Sequence, residues 1–154
     1  MTEIRVSLVD VVVLRGAGAS LEVLLLRRAE GGRSPGSWEG VHGRIEPGET
    51  PPVAARRELV EETGFSDGRW YALSRVESFY RHDVDEVAVI PVFAVFVPDG
   101  AEPELSAEHD AWVWQAPQVA MRSCTWPRFA RSISDAVRLL GDGEAGVAED
   151  ALRL

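Results

Sequence analysis

Between Thr50 and Gly64 the chain carries helix punctuation at both ends, and the residues enclosed gather acids onto one surface. Thr50 suits the N-cap because its hydroxyl can accept from a first-turn N–H. Pro51 fits the first helical position, where no donor is needed, and Gly64 sits where a left-handed C-cap belongs. At about 100° per residue, Glu58, Glu61 and Glu62 fall within an arc of roughly 100°. Ala54 lies in that arc one turn earlier and is small, which leaves space above the carboxylates. Val53, Ala55, Leu59 and Val60 fall on the opposite side and are expected to pack on a sheet. Arg56 projects into that apolar side, with snorkelling as its only explanation. Arg57 flanks the acids and stands i,i+4 from Glu61, so it can hold that carboxylate in place. Like charges on one face oppose helix formation by about a few tenths of a kcal/mol per pair. A hard divalent cation removes that conflict, because magnesium takes oxygen ligands and keeps positions free for phosphates. A solvated acidic face is the other reading of Glu61 and Glu62 taken alone.

The charge balance points the same way. A net charge of −9 argues against a sequence-independent grip on nucleic acid, which depends on neutralising phosphates with cations. The chain contains no lysine, so lysine nucleophiles are excluded, and any side-chain cation that meets a phosphate must be a guanidinium. An acidic chain that handles an anion needs a divalent metal between them. Cys124 stands alone, which excludes an intramolecular disulfide and a cysteine-built zinc site; a small buried hydrophobe is its plainest role. No apolar run approaches the roughly 20 residues of a membrane helix, since Arg5 and Asp10 interrupt the stretch from Ile4 to Leu14, and the N-terminus has no secretory pattern. A cytoplasmic protein without membrane association is expected.

At this length one domain is expected over residues 1–141, with an acidic, Gly-rich tail over 142–154 that should fray apart from a last turn near Leu152. Ile4 to Leu14 reads as one buried strand and Leu21 to Arg28 as its hairpin partner. A Gly- and Pro-bearing loop leads to a short extended piece, 38–41. Residues 69–80 and 86–97 read as two further strands, with Pro91 marking an edge or a bulge. A short strand at 111–115 follows, then helices near 117–122 and 127–140. In the last of these, Phe129, Ile133, Val137 and Leu140 repeat at helical spacing. Strands and helices mix without regular alternation, which implies a mixed β-sheet with helices on its faces.

The segment GRIEPGETPPVAARRELVEETGF, from Gly43 to Phe65, resembles the signature of the Nudix hydrolase family, G-x5-E-x7-R-E-U-x-E-E-x-G-U with U bulky and apolar. Gly43, Glu49, Arg57, Glu58, Leu59, Glu61, Glu62, Gly64 and Phe65 fill every fixed position. With average residue usage, a chance match is below about one in a million. The resemblance implies an α/β/α sandwich and a magnesium- or manganese-dependent hydrolysis of a pyrophosphate linkage in a small phosphate-anhydride substrate. It implies that Glu58, Glu61 and Glu62 bind metal, that His42 offers a backbone carbonyl ligand, and that Gly43 lies at the substrate. Many members have Gly-Gly where this chain has His42-Gly43, so an imidazole that touches substrate is a second option for His42. Glu49 would orient site groups or bind metal through water, and Arg57 would fix the carboxylates. The general base is a box glutamate in some members and a loop glutamate in others. Glu108 is the loop candidate, against a plain surface acid.

A looser likeness, in SWEGVHGRIEPGETPPVAARREL, EHDAWVW and Trp126, is to bacterial dihydroneopterin triphosphate pyrophosphatases. Arg27 and Arg28 end a strand where that family presents an arginine to substrate, and strand alternation lets only one point inward. Trp38, Tyr80 and Arg81 could sandwich a flat base or pterin, and Trp112 and Trp114 should share a face. A non-catalytic nucleotide-binding domain is the alternative; it commonly loses box carboxylates, which are intact here. Isopentenyl diphosphate isomerase chemistry needs a cysteine acid–base group and a divergent box, which this chain does not offer. The oligomeric state stays open, a homodimer included.

Overall fold

The N-terminal apolar run does not form the single strand expected of it. In the computed structural model, which describes residues 1–143 and 146–154, it breaks at Ser7 into β1 (Glu3–Val6) and β2 (Leu8–Arg15). β1 is exposed along its length, whereas β2 is buried up to Leu14. Burial therefore begins only after the break.

The other strands are β3 (Glu22–Arg28), β4 (Trp38–Glu39), β5 (Val41–Arg44), β6 (Arg69–Arg81), β7 (Glu86–Phe96) and β8 (His109–Gln115). Among the described residues these make one mixed sheet of eight strands. β7 lies parallel to β1 and β2 and antiparallel to β6. β2 is also antiparallel to β3 and to β5, and β3 pairs with β4 and β8. The hairpin of β2 and β3 is real but brief, covering Leu14–Val23 and Arg15–Glu22 before the strands diverge.

Pro91 illustrates how the ladder accommodates a missing N–H. β7 is an inner strand, so the edge position anticipated as one option does not apply. The bulge does: the β6 register shifts between Ala72 and Val76, where Val76 faces Pro91. On the other side, β1 pairs only as far as Val89 and β2 begins at Val92. The proline occupies the gap left on that side.

One face of the sheet buries Val12, Leu14, Val23, Leu25 and Ala94 under Phe129, Ile133 and Leu140 of α3 (Pro127–Leu140), with α2 (Pro117–Ser123) beside it. The opposite face buries Val9, Val11, Val13, Leu24, Leu26 and Val41 under Ala54, Ala55 and Leu59 of α1 (Pro51–Thr63). Helices on both faces of a mixed sheet give the α/β/α sandwich. Trp112 and Trp114 both pack on the α1 side, as their parity required, and Cys124 is half-buried on the α3 side.

The described part of the tail carries the turn expected near Leu152, and more of it. It forms α4 (Val147–Leu152), whose Glu149 accepts from the Tyr71 hydroxyl at 2.8 Å, and the Leu154 amide donates to the Trp70 carbonyl. Backbone pairing of Arg153 with Tyr71 extends the sheet edge. Among the described residues no helix is long and apolar enough to cross a membrane.

Candidate active site

The α1 helix starts and stops where its punctuation said, with Gly64 at φ 74° and its amide bonded to Val60. Thr50 makes no side-chain cap bond, so proline at the first turn and tertiary packing set the start. The helix is rotated from the expected orientation. Val53 and Val60 are about half exposed, whereas Ala54, Ala55, Glu58, Leu59, Glu62 and Thr63 are buried. The rotation has a steric cause: Ala54 and Ala55 allow the helix to approach the sheet closely, so Ala54 serves packing and not free space over the acids. Arg56 lies over the Trp70 ring at 4.9 Å, a cation–π contact that accounts for its place beside apolar neighbours.

This rotation drives two carboxylates inward. Glu58 lies against Gly43 so closely that a Cβ there would come within 1.8 Å of the Glu58 carboxyl carbon. Glycine at 43 is thus a requirement of the glutamate facing it. Glu62 is 2% exposed, and neither of its carboxyl oxygens has a hydrogen-bond partner. Burial pushes its pKa well above the ordinary range, the charges of Glu58 and Glu108 add to the rise, and the adjacent main chain of His42 opposes it weakly. Burial likewise raises Glu58, against the pull of Arg57. Among the described residues no three His, Cys, Asp or Glu side chains already converge closely enough to enclose a metal.

Arg57 organises the outer rim. Its Nε and Nη2 donate to the two oxygens of Glu49 at 2.8 and 3.0 Å, and Nη1 donates to Glu58 at 2.9 Å and Glu61 at 3.2 Å. Nη2 also donates to the Arg44 carbonyl at 2.7 Å, which ties α1 to the end of β5. Hydrogen bonding to Arg57 lowers the Glu49 pKa to about 2. Glu61 is exposed and reaches the cluster through Arg57.

Glu108 precedes β8, and its charge is felt at both Glu58 and Glu62. Arg28 is 7% exposed and donates to Glu108 at 3.2 Å, with the buried Glu39 carboxylate 3.9 Å away. Arg27 points to the other side of β3, where Asp110 binds it at 2.7 Å and the Trp38 ring lies 5.8 Å from its guanidinium. The two arginines split between the faces as alternation required, and both meet carboxylates.

Several sequence candidates are not brought together. His42 turns its imidazole to the α3 side, where Nδ1 lies 2.5 Å from the buried Asp10 carboxylate. Its main chain, not its ring, adjoins Glu62. Trp38 sits on β4 beside Arg27, whereas Tyr80 lies on β6 at the far edge of the sheet. The Tyr80 hydroxyl donates to Asp85, and Arg81 pairs with Glu86 and Asp83. The imagined sandwich of Trp38, Tyr80 and Arg81 does not form, because three strands separate its members.

Sequence reasoning missed Glu39, Asp10 and His109. Glu39 is buried, accepting from the Trp126 indole and from Arg33. His109 is buried beside Arg28 and Glu108; burial first, then the Arg28 charge, lowers its pKa to about 4, so the ring is neutral near pH 7. Asp10 did carry a signal, as the single acid inside a run of valines and leucines.

A family model described as NUDIX domain matches residues 5–136. An octanoyltransferase of Myxococcus xanthus is 40% identical over 113 residues, 69% of this chain and 29% of that protein. An RNA pyrophosphohydrolase of Rickettsia bellii is 44% identical over 48 residues, 31% of this chain and 29% of that protein. The matches thus span about 29% of the length of these curated relatives. The solved structure of the E. coli dihydroneopterin triphosphate pyrophosphohydrolase superposes with a TM-score of 0.69 at 22% identity, covering 87% of this chain and 96% of that one, a likeness of fold.

Proposed function

Because the chain belongs to the Nudix family, we propose that it is a pyrophosphohydrolase that splits a phosphoanhydride bond of a nucleoside-triphosphate-like small molecule by attack of water on phosphorus. The observation that carries this reading is Glu62, a buried carboxyl with two unpartnered oxygens, pressed by the charges of Glu58 and Glu108. A carboxyl so placed either keeps a proton or meets a cation. The donor set fits a hard dication: it consists of carboxylate oxygens and a strand backbone, with no thiol or lysine nearby. Two carboxylates complemented by water and phosphate oxygens are how magnesium is commonly held at phosphate sites.

In this reading Glu58, Glu62 and the main chain of His42 hold magnesium or manganese, and Glu61 stands in the outer ring. Such an ion, when bound there, would draw charge from phosphoryl oxygens and make water a better nucleophile. The chain itself supplies positioning. Arg57 locks Glu58 and Glu49, Gly43 makes room for Glu58, and Glu108, whose charge is felt at both Glu58 and Glu62, would accept the proton of the attacking water. Dihydroneopterin triphosphate is the first substrate to try, on the strength of the sequence phrases around the box and the shared fold.

A panel of that compound and the common nucleoside triphosphates, with magnesium and in oxygen-labelled water, tests the reading. Mass analysis should find label in the product at the attacked phosphorus, with turnover abolished by chelator. Hydrolysis of none of them with either metal would sink the assignment.

A further inference from the structure

Arg27 and Arg28 stand side by side at the end of β3, and each meets its own carboxylate through a local irregularity of β8. Pairing runs from Val23 with Gln115 to Arg27 with Ala111, but Arg28 faces His109, so Asp110 is the extra residue of a bulge. The bulge gives Asp110 to Arg27 on one face. On the other it swings the preceding loop over Arg28, where the Ala29 amide bonds the Glu108 carbonyl at 2.9 Å and Arg28 Nη1 donates to Glu108 at 3.2 Å. Arg28 is itself held from behind: its Nε donates to the Arg33 carbonyl at 3.3 Å and lies 3.9 Å from the buried Glu39 carboxylate. A Cβ at Gly32 would approach its Nη2 to 3.2 Å, so the loop backbone is close as well. The guanidinium therefore has little freedom, and one of its remaining donors is spent on Glu108.

The geometry points to Arg28 as a positioning residue for Glu108, not a substrate contact: with Glu39 behind it, the guanidinium holds the loop carboxylate beside Glu58 and Glu62. This rests on the hydrolase reading and deepens it. A fork that donates to the Arg33 carbonyl at one end and to the Glu108 carboxylate at the other needs the planar, multi-donor guanidinium, and an ammonium serves only one end well.

The test is steady-state hydrolysis of GTP, or of whichever panel compound the wild type turns over fastest, by Glu108→Gln, Arg28→Gln, Arg28→Lys and the double variant Arg28→Gln/Glu108→Gln, with folding checked by thermal melts. Glu108→Gln should lower kcat about 100-fold. Arg28→Gln should lower kcat by a comparable factor with KM within about threefold, and the double variant should be no slower than the worse single one. Arg28→Lys, which keeps a cation beside Glu39 if Arg28→Gln fails to fold, should lie between wild type and Glu108→Gln in kcat. A rise in KM at unchanged kcat in either Arg28 variant would make Arg28 a substrate contact and overturn the inference. Multiplicative losses in the double variant, or full activity of Glu108→Gln, would overturn it too. A Glu62→Gln variant that stays fully active would instead remove the hydrolase reading, so the two failures are separable.

Discussion

Two carboxylates buried almost equally, Asp10 of β2 at 1% and Glu62 of α1 at 2% exposure, meet opposite fates on the two faces of the sheet. Asp10 faces the α3 side, with the His42 ring against one oxygen and Arg128 Nε 3.4 Å from the other. Burial pushes its pKa up, but His42 and Arg128 outweigh that, and the net displacement is downward. Glu62, on α1 over the opposite face, has no partner for either oxygen and two acids as neighbours, and it is displaced upward. The strand β5 separates them: His42 serves one cluster with its ring, and Gly43 opens the other by having none. Burial alone thus says little about a charged group. The balance of its neighbours decides whether it is held ionised or pushed toward its neutral form.

The comparison can be broken most forcefully at Glu62. Glu62→Gln should lower kcat about 1000-fold or more, about 4 kcal/mol of transition-state stabilisation. Metal-free thermal stability should stay level or rise, because an unpartnered buried acid is removed. Asp10→Asn should do the reverse, costing about 3 kcal/mol in denaturant melts by leaving Arg128 without its counter-charge and disturbing the His42 hydrogen bond. The folded fraction of that variant should keep kcat within a few-fold of wild type. Gly43→Ala forces a methyl onto Glu58, and the displaced carboxylate should reduce kcat/KM about 100-fold while overpacking costs about 1–3 kcal/mol.

The smallest effect is a pH dependence. The folded pKa of Glu62 lies well above its ordinary value of 4.5, so the folded chain retains a proton that the unfolded chain releases. The stabilising contribution is full below about 4.5 and is lost as pH rises through the folded value. Metal-free wild type should therefore lose stability relative to Glu62→Gln as pH climbs toward neutrality. Saturating magnesium should flatten that slope, since metal binding displaces the proton. A slope of the opposite sign would mean that Glu62 has a partner.

Local chemistry made much of the fold legible. The bounds of α1 and its Gly64 C-cap, the parity of Trp112 and Trp114, and the apolar face of α3 all depend on near neighbours in the chain, and the structure agrees with each; the Thr50 hydroxyl alone does not cap as expected. The break at Ser7, the docking of α4 and the rotation of α1 were not legible. Each is decided by what the opposing element can accept: the gap at Pro91, the Tyr71 hydroxyl, or the small Ala54–Ala55 contact. The site divides in the same way. Arg57 with Glu61 was read correctly from helical spacing, whereas the destinations of Arg28, His42 and Tyr80 depended on strand order.

The amino-acid sequence alone determined the family, the helix that bears the acids and the identity of those acids, because these reside in contiguous residues whose spacing along a helix is set by covalent geometry. Only the tertiary structure decided which acids are desolvated, which arginines are already engaged and which face of the sheet each side chain serves. Those properties arise from the register of strands distant in the chain, where a one-residue shift or bulge exchanges one face for the other.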